Sequence, residues 1–163
     1  MLKKIKYKLI SLLACISLQM LSTSYAHEID LKEISIKHPT IPIFNSKMKT
    51  AAGYLTIVNK KPETDELIMV KTDFAKAMIH MSKIDKNGIA SMEHVNKVII
   101  PGNSSVVFEQ GSLHIMFTKL KEPLEEYNDQ KVTLVFRNLG DIVVEFQVEQ
   151  ATQKLNMKNN HDH

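Results

Sequence analysis

Two histidines and two methionines stand out by type and spacing: His80, Met92, His114 and Met116. His80 is followed by Met81, then ten residues, Met92, twenty-one residues, and the triplet His114-Ile115-Met116. A thioether is a poor ligand for hard cations and a good one for Cu(I), and imidazole complements it. Two Met with two His and no Cys therefore reads as a copper pattern. Zinc favours Cys and His at close C-x₂₋₄-C or H-x₃₋₅-H spacings, which the body of the chain lacks.

The elements that carry these residues must be strands. His114 and Met116 are two apart, so on a strand they leave the same face while Ile115 and Phe117 point to the core. The bland alternative makes Met116 a core residue and His114 a surface one. His80 and Met92 flank Asp85-Lys86-Asn87-Gly88 and are expected on paired strands, where register decides whether they share a face. A four-residue loop would pair Met92 with Met81 and put His80 on the other face. A five-residue loop, or one bulge, would pair His80 with His94 and align His80, Met92 and His94. The spacing leaves both open. His94 is the spare imidazole, a solvated strand residue or a support for a ligand. Met48, Met69 and Met78 lack a partner pattern and are expected in core or rim packing, and His38, before Pro39, in a surface loop.

Beyond the motif, short segments rich in Val, Ile, Phe and Thr alternate with Gly, Asn, Asp and Pro clusters. Residues 54–58, 67–71, 77–84, 89–95, 98–100, 105–108, 114–118, 131–136 and 142–148 read as strands. No window sustains a helical period. The expected fold is a single all-β domain, a β-sandwich of cupredoxin-like or immunoglobulin-like form, over 48–149. Residues 27–47, broken by Pro39 and Pro42, are expected to add an edge strand and a loop outside the core. Residues 150–163 turn polar and are expected to be a disordered tail.

Residues 1–26 read as a cleaved signal peptide: Lys3, Lys4, Lys6 and Lys8, an apolar run from Leu9 to Leu21, and Ser24-Tyr25-Ala26 as the cleavage site. A periplasmic or secreted protein is then expected. The run is too short for a membrane span, which needs about 20 apolar residues. Leu12-Leu13-Ala14-Cys15 also resembles a lipobox, but Leu13 fits it poorly and Ser-Tyr-Ala is the better site. Removing four of the 21 basic residues leaves 17 against 18 acidic ones, so the chain's +3 becomes −1. That removes any case for nucleic-acid binding from basic charge. Cys15 is the only cysteine, so the folded domain lacks a thiol. Methionine suits an oxidising compartment better than a thiolate site would.

Enzymatic constellations are missing: no Ser nucleophile elbow, no His–carboxylate pair at informative spacing, and no Gly-rich phosphate loop. A non-enzyme is expected. Blue-copper electron transfer needs a Cys thiolate and is excluded. The polar tail carries Met157, His161, Asp162 and His163, and His-x-His can capture Cu(II) weakly. His27, at the new N-terminus, could chelate with its own amine.

The spacing H(M)-x10-M-x21-H-x-M is also that of the small periplasmic copper chaperones of the PCuAC type, which the chain resembles from about Met48 to Glu149. Ala51-Ala52-Gly53-Tyr54 is similar to that family's small-residue approach to a Tyr strand. Gly111-Ser112-Leu113-His114-Ile115-Met116 is similar to its lead-in to H-x-M. Glu93 stands where a basic residue is common, no Trp precedes the motif, and Asn128-Asp129 replaces a usual Gly-Asp turn; none of these removes a ligand. The resemblance implies one Cu(I) held by His80, Met92, His114 and Met116. It further implies delivery by ligand exchange to a respiratory oxidase copper centre, Cu_A, with a Sco-type thioredoxin-like protein cooperating. A periplasmic copper buffer or resistance protein, and a sandwich interaction module without metal, are the rival readings.

Overall fold

The alternation seen in the sequence becomes eleven strands in the computed structural model, which describes residues 29–86 and 88–151. They are β1 (Ile29–Asp30), β2 (Ile34–Ile43), β3 (Thr50–Asn59), β4 (Asp65–Lys71), β5 (Lys76–Ile84), β6 (Ala90–His94), β7 (Val98–Ile100), β8 (Ser104–Phe108), β9 (Leu113–Thr118), β10 (Gln130–Phe136) and β11 (Gly140–Gln150). They form one curled sheet in the order β6-β5-β9-β3-β2-β11-β10-β4-β7, with β1 added to β2 and β8 to β3. All pairs are antiparallel except β2–β11. The curl folds the apolar face inward, as the expected all-β single domain requires.

Inward positions recur every second residue. On β10 they are Val132, Leu134 and Phe136; on β11, Ile142, Val144, Phe146 and Val148. From the other side come Leu55 and Ile57 of β3 and Leu113, Ile115 and Phe117 of β9. Phe117 meets Phe146 edge-on at 6.1 Å and Phe74 at 5.0 Å, tying β9 to the opposite wall. Gly53 makes room for that contact. A Cβ there would stand 2.7 Å from Cε2 of Phe117 and 3.1 Å from Cε1 of Phe146.

The N-terminal segment departs from expectation. β2 is not an edge strand outside the core: it lies between β3 and β11 and buries Ile34, Ile36, Ile41 and Ile43. The inward parity changes from even to odd midway, at a register shift between Lys37 and Thr40 where His38 takes a φ of +49°. Pro39 sits in that irregularity, where a missing N–H costs no ladder bond. His38 is thus an exposed strand residue rather than a loop residue. The expected signal peptide, Cys15, His27 and the tail residues Met157, His161, Asp162 and His163 lie outside the described residues.

Candidate metal centre

The hairpin joining β5 to β6 decides the register that the spacing leaves open. Five residues, Asp85 to Ile89, separate the last paired positions, Ile84 and Ala90. Gly88 takes a φ of +79°, and its N–H donates to the Asp85 carbonyl at 3.0 Å. The Asp85 carboxylate accepts from the Ile89 N–H at 2.8 Å, and the Asp85 N–H donates to the Ile89 carbonyl at 3.0 Å. A turn closed by a left-handed glycine is how a hairpin takes in one extra residue. His80 consequently stands opposite His94, and Met92 opposite Ser82. All four share one face.

On its other side β5 pairs with β9, placing His80 opposite His114 and Met78 opposite Met116. Three imidazoles therefore form a row across β6, β5 and β9, with ring centroids 5.9 Å apart for His94–His80 and 6.0 Å for His80–His114. They lie on the outer face of the sheet, because Ile79 and Ile115 between them are buried inward. Met116 and Met78 form the next row, beside Ala52 of β3. Met92 lies one row the other way, toward the loop and 59% exposed. Of the four motif residues, His80, His114 and Met116 are immediate neighbours, and Met92 is a diagonal neighbour of His80. Diagonal partners stand about 7–8 Å apart, within reach of a long side chain. Among the described residues no three His, Cys, Asp or Glu side chains converge on one point.

Met81 faces inward and packs against the core, so it does not accompany His80. Glu93 shares that parity, and its carboxylate pairs with Lys83 at 2.6 Å, so the unusual acidic residue brings no charge to the histidine face. Met48 packs at the core margin and Met69 is exposed on β4. Met78 is the residue that sequence reasoning set aside and the fold brings in. It precedes His80 by two, the same same-face spacing that singled out His114 and Met116.

Two of the imidazoles each keep a ring nitrogen available to an ion. The His114 side chain is 5% exposed. Its Nδ1–H donates to the Ser112 carbonyl at 2.9 Å, which leaves the Nε2 lone pair free of that bond. The same carbonyl accepts from the Ser82 N–H at 3.1 Å, joining the lead-in of β9 to β5. Nδ1 of His80 is buried and has no hydrogen-bond partner among the described residues. Such an atom costs about 1–3 kcal/mol until something binds it. Burial, then the neighbouring His114 and His94, lower the pKa of His80 below its ordinary 6.5. Met116 also walls an open groove along β3 with Met48, Ala52, Tyr54 and Gln110.

With this geometry in place, the comparisons with known proteins decide the family. The model of the family described as "Putative lipoprotein LpqE-like" matches residues 34–148. The chain belongs to the LpqE-like family. This is the PCuAC-type family that the motif resembles. "Uncharacterized protein RP573" of Rickettsia prowazekii (strain Madrid E) is 27% identical over 111 residues. That match covers 68% of this chain and 61% of the relative, so the chain spans less than two thirds of that relative's length.

Solved structures share the fold. The apo PCuAC domain from PmoF1 superposes with a TM-score of 0.66 at 24% identity, covering 77% of this chain and all of that one. The copper-bound PCuAC domain from PmoF2 gives 0.62 at 24% identity, over 77% and 99% of the two chains. The Cu(I) form of DR1885 from Deinococcus radiodurans gives 0.60 at 21% identity, over 83% and 87%.

Proposed function

We propose that this domain binds one Cu(I) through His80, His114, Met116 and Met92 and passes it on by ligand exchange, as a periplasmic copper chaperone. One observation carries the reading: His80 and His114 are directly paired on an outer sheet face, with the Met116 thioether beside them and Nδ1 of His80 left without a hydrogen-bond partner among the described residues. Two imidazoles and thioethers without a carboxylate form a soft donor set that favours Cu(I) over hard divalent ions. The solved domains from PmoF2 and DR1885, both copper-bound, support the choice of metal.

The shape of the face supports exchange rather than storage. Met92 is largely exposed on β6, the last strand of the sheet order, so an incoming Cys or His of an acceptor can displace it before His80 and His114 let go. No bond to carbon is made or broken, which agrees with the lack of an enzymatic constellation. The proposed acceptor is the Cu_A centre of a respiratory oxidase, with a Sco-type thioredoxin-like protein cooperating. The proposed compartment is the periplasm, reached through the signal segment or with Cys15 lipidated, a route to which the family's lipoprotein description lends weight. Cu(II) capture by His161 and His163 in the tail belongs to the same proposal. Mixing the Cu(I) form with an apo soluble Cu_A domain is the test. Copper found on the acceptor after the two proteins are separated supports delivery, and retention by the donor points to a buffer instead.

A further inference from the structure

We infer that Met78 is a further copper ligand of this face, interchangeable with Met92. The inference rests on the proposed site and adds a donor that the sequence motif does not contain. β5 and β9 place His80 opposite His114 and, in the adjoining row, Met78 opposite Met116. These four side chains form a two-by-two block on paired strands, where directly opposed Cβ atoms stand about 4.5–5.5 Å apart. Met92 lies outside the block, on the far side of His80 from Met116. The block by itself supplies two imidazoles and two thioethers.

Exposure separates the two candidates for the fourth position. Met78 is half-buried on β5, one strand in from the edge strand β6, whereas Met92 is 59% exposed on β6 itself. Met78 is therefore the retaining donor, and Met92 is the one an acceptor can reach and replace. As Met92 detaches, Met78 closes over the ion and keeps it bound to this protein until the acceptor's own ligand arrives. A thioether swap of this kind transfers no proton and no charge. The ion remains Cu(I) throughout.

The test is a double-mutant cycle read by competition with a Cu(I)-specific chelator, using Met78→Leu, Met92→Leu and the pair. Leucine keeps apolar bulk and removes the sulfur, so packing changes little. Interchangeable donors predict that each single variant weakens Cu(I) binding by only about threefold. The double variant then exceeds the product of the singles by about tenfold, because neither methionine remains to cover for the other. X-ray absorption on the Cu(I) forms is expected to count two sulfur donors in wild type and in each single variant, and one in the double. The inference is overturned if the double variant matches Met92→Leu in affinity and sulfur count, which would leave Met78 a packing residue. His114→Ala in the same titration separates the two levels: if it too leaves binding unchanged, the proposed site itself has failed, not the role of Met78 alone. Thermal unfolding of the copper-free variants shows whether a loss reflects folding rather than coordination.

Discussion

Gly53→Ala tests the packing that holds β9 in place beneath the candidate site. The added Cβ would lie 2.7 Å from Phe117, closer than carbon atoms tolerate, and a tight 3.1 Å from Phe146. Both rings are fully buried and lock edge-on, so neither can swing into solvent. Overpacking a well-filled core costs about 1–3 kcal/mol. Gly53 is a strand residue without positive φ, so alanine also restricts the unfolded chain and returns about 0.4–1 kcal/mol. The net expectation is destabilisation by about 1–2 kcal/mol, or a fall in Tm of roughly 4–8 °C for a domain of this size. Thermal and urea unfolding of the copper-free protein measure it. Because Phe117 directly follows Met116, Cu(I) retention against a chelator is expected to weaken as well. Phe117→Leu makes room for the new methyl group, so the double variant should lose less than the sum of the singles. An unchanged or raised Tm for Gly53→Ala would refute the claim that this glycine is required by the Phe117–Phe146 contact.

Two further outcomes follow from the hairpin and from His80. Deleting Lys86 shortens the β5–β6 loop by one residue and is expected to flip Met92 and His94 to the opposite face from His80; its Cu(I) affinity should then match Met92→Leu, and wild-type affinity would contradict the register. Since burial, with His114 and His94, holds the pKa of His80 below 6.5, the unfolded chain takes up that proton first. Stability of the copper-free protein is therefore full above about pH 6.5 and is lost as pH falls toward the lower folded value. His80→Gln should flatten that part of the urea-unfolding profile, and an unaltered slope would show that His80 does not set it.

Much of the strand content was legible because most strands keep strict two-residue alternation, as Val132, Leu134 and Phe136 do. β2 was not, because its inward parity switches at His38 and a pattern reader sees two fragments where the backbone makes one strand through a bulge. Its parallel pairing with β11 joins residues about a hundred positions apart, and no local signal reports that. In the site, the shared face of His114 and Met116 followed from their spacing alone. The placement of His80 and Met92 hung on one residue of loop length, which the left-handed Gly88 settles. Met78 could have been found by the argument applied to Met116, but its partner becomes visible only once β5 is set against β9. Met81 was the opposite case: adjacent to His80 in sequence, it points into the core.

The most direct test of the copper reading is competition between the domain and a Cu(I)-specific chelator of known affinity, run on wild type, His114→Ala and Met116→Ala. The expected result is retention of one Cu(I) per wild-type chain, with a loss of at least about tenfold in affinity for each variant at unchanged folding, the scale of losing one ligand or its support. Complete surrender of copper by the wild type, or equal retention by all three proteins, would contradict it.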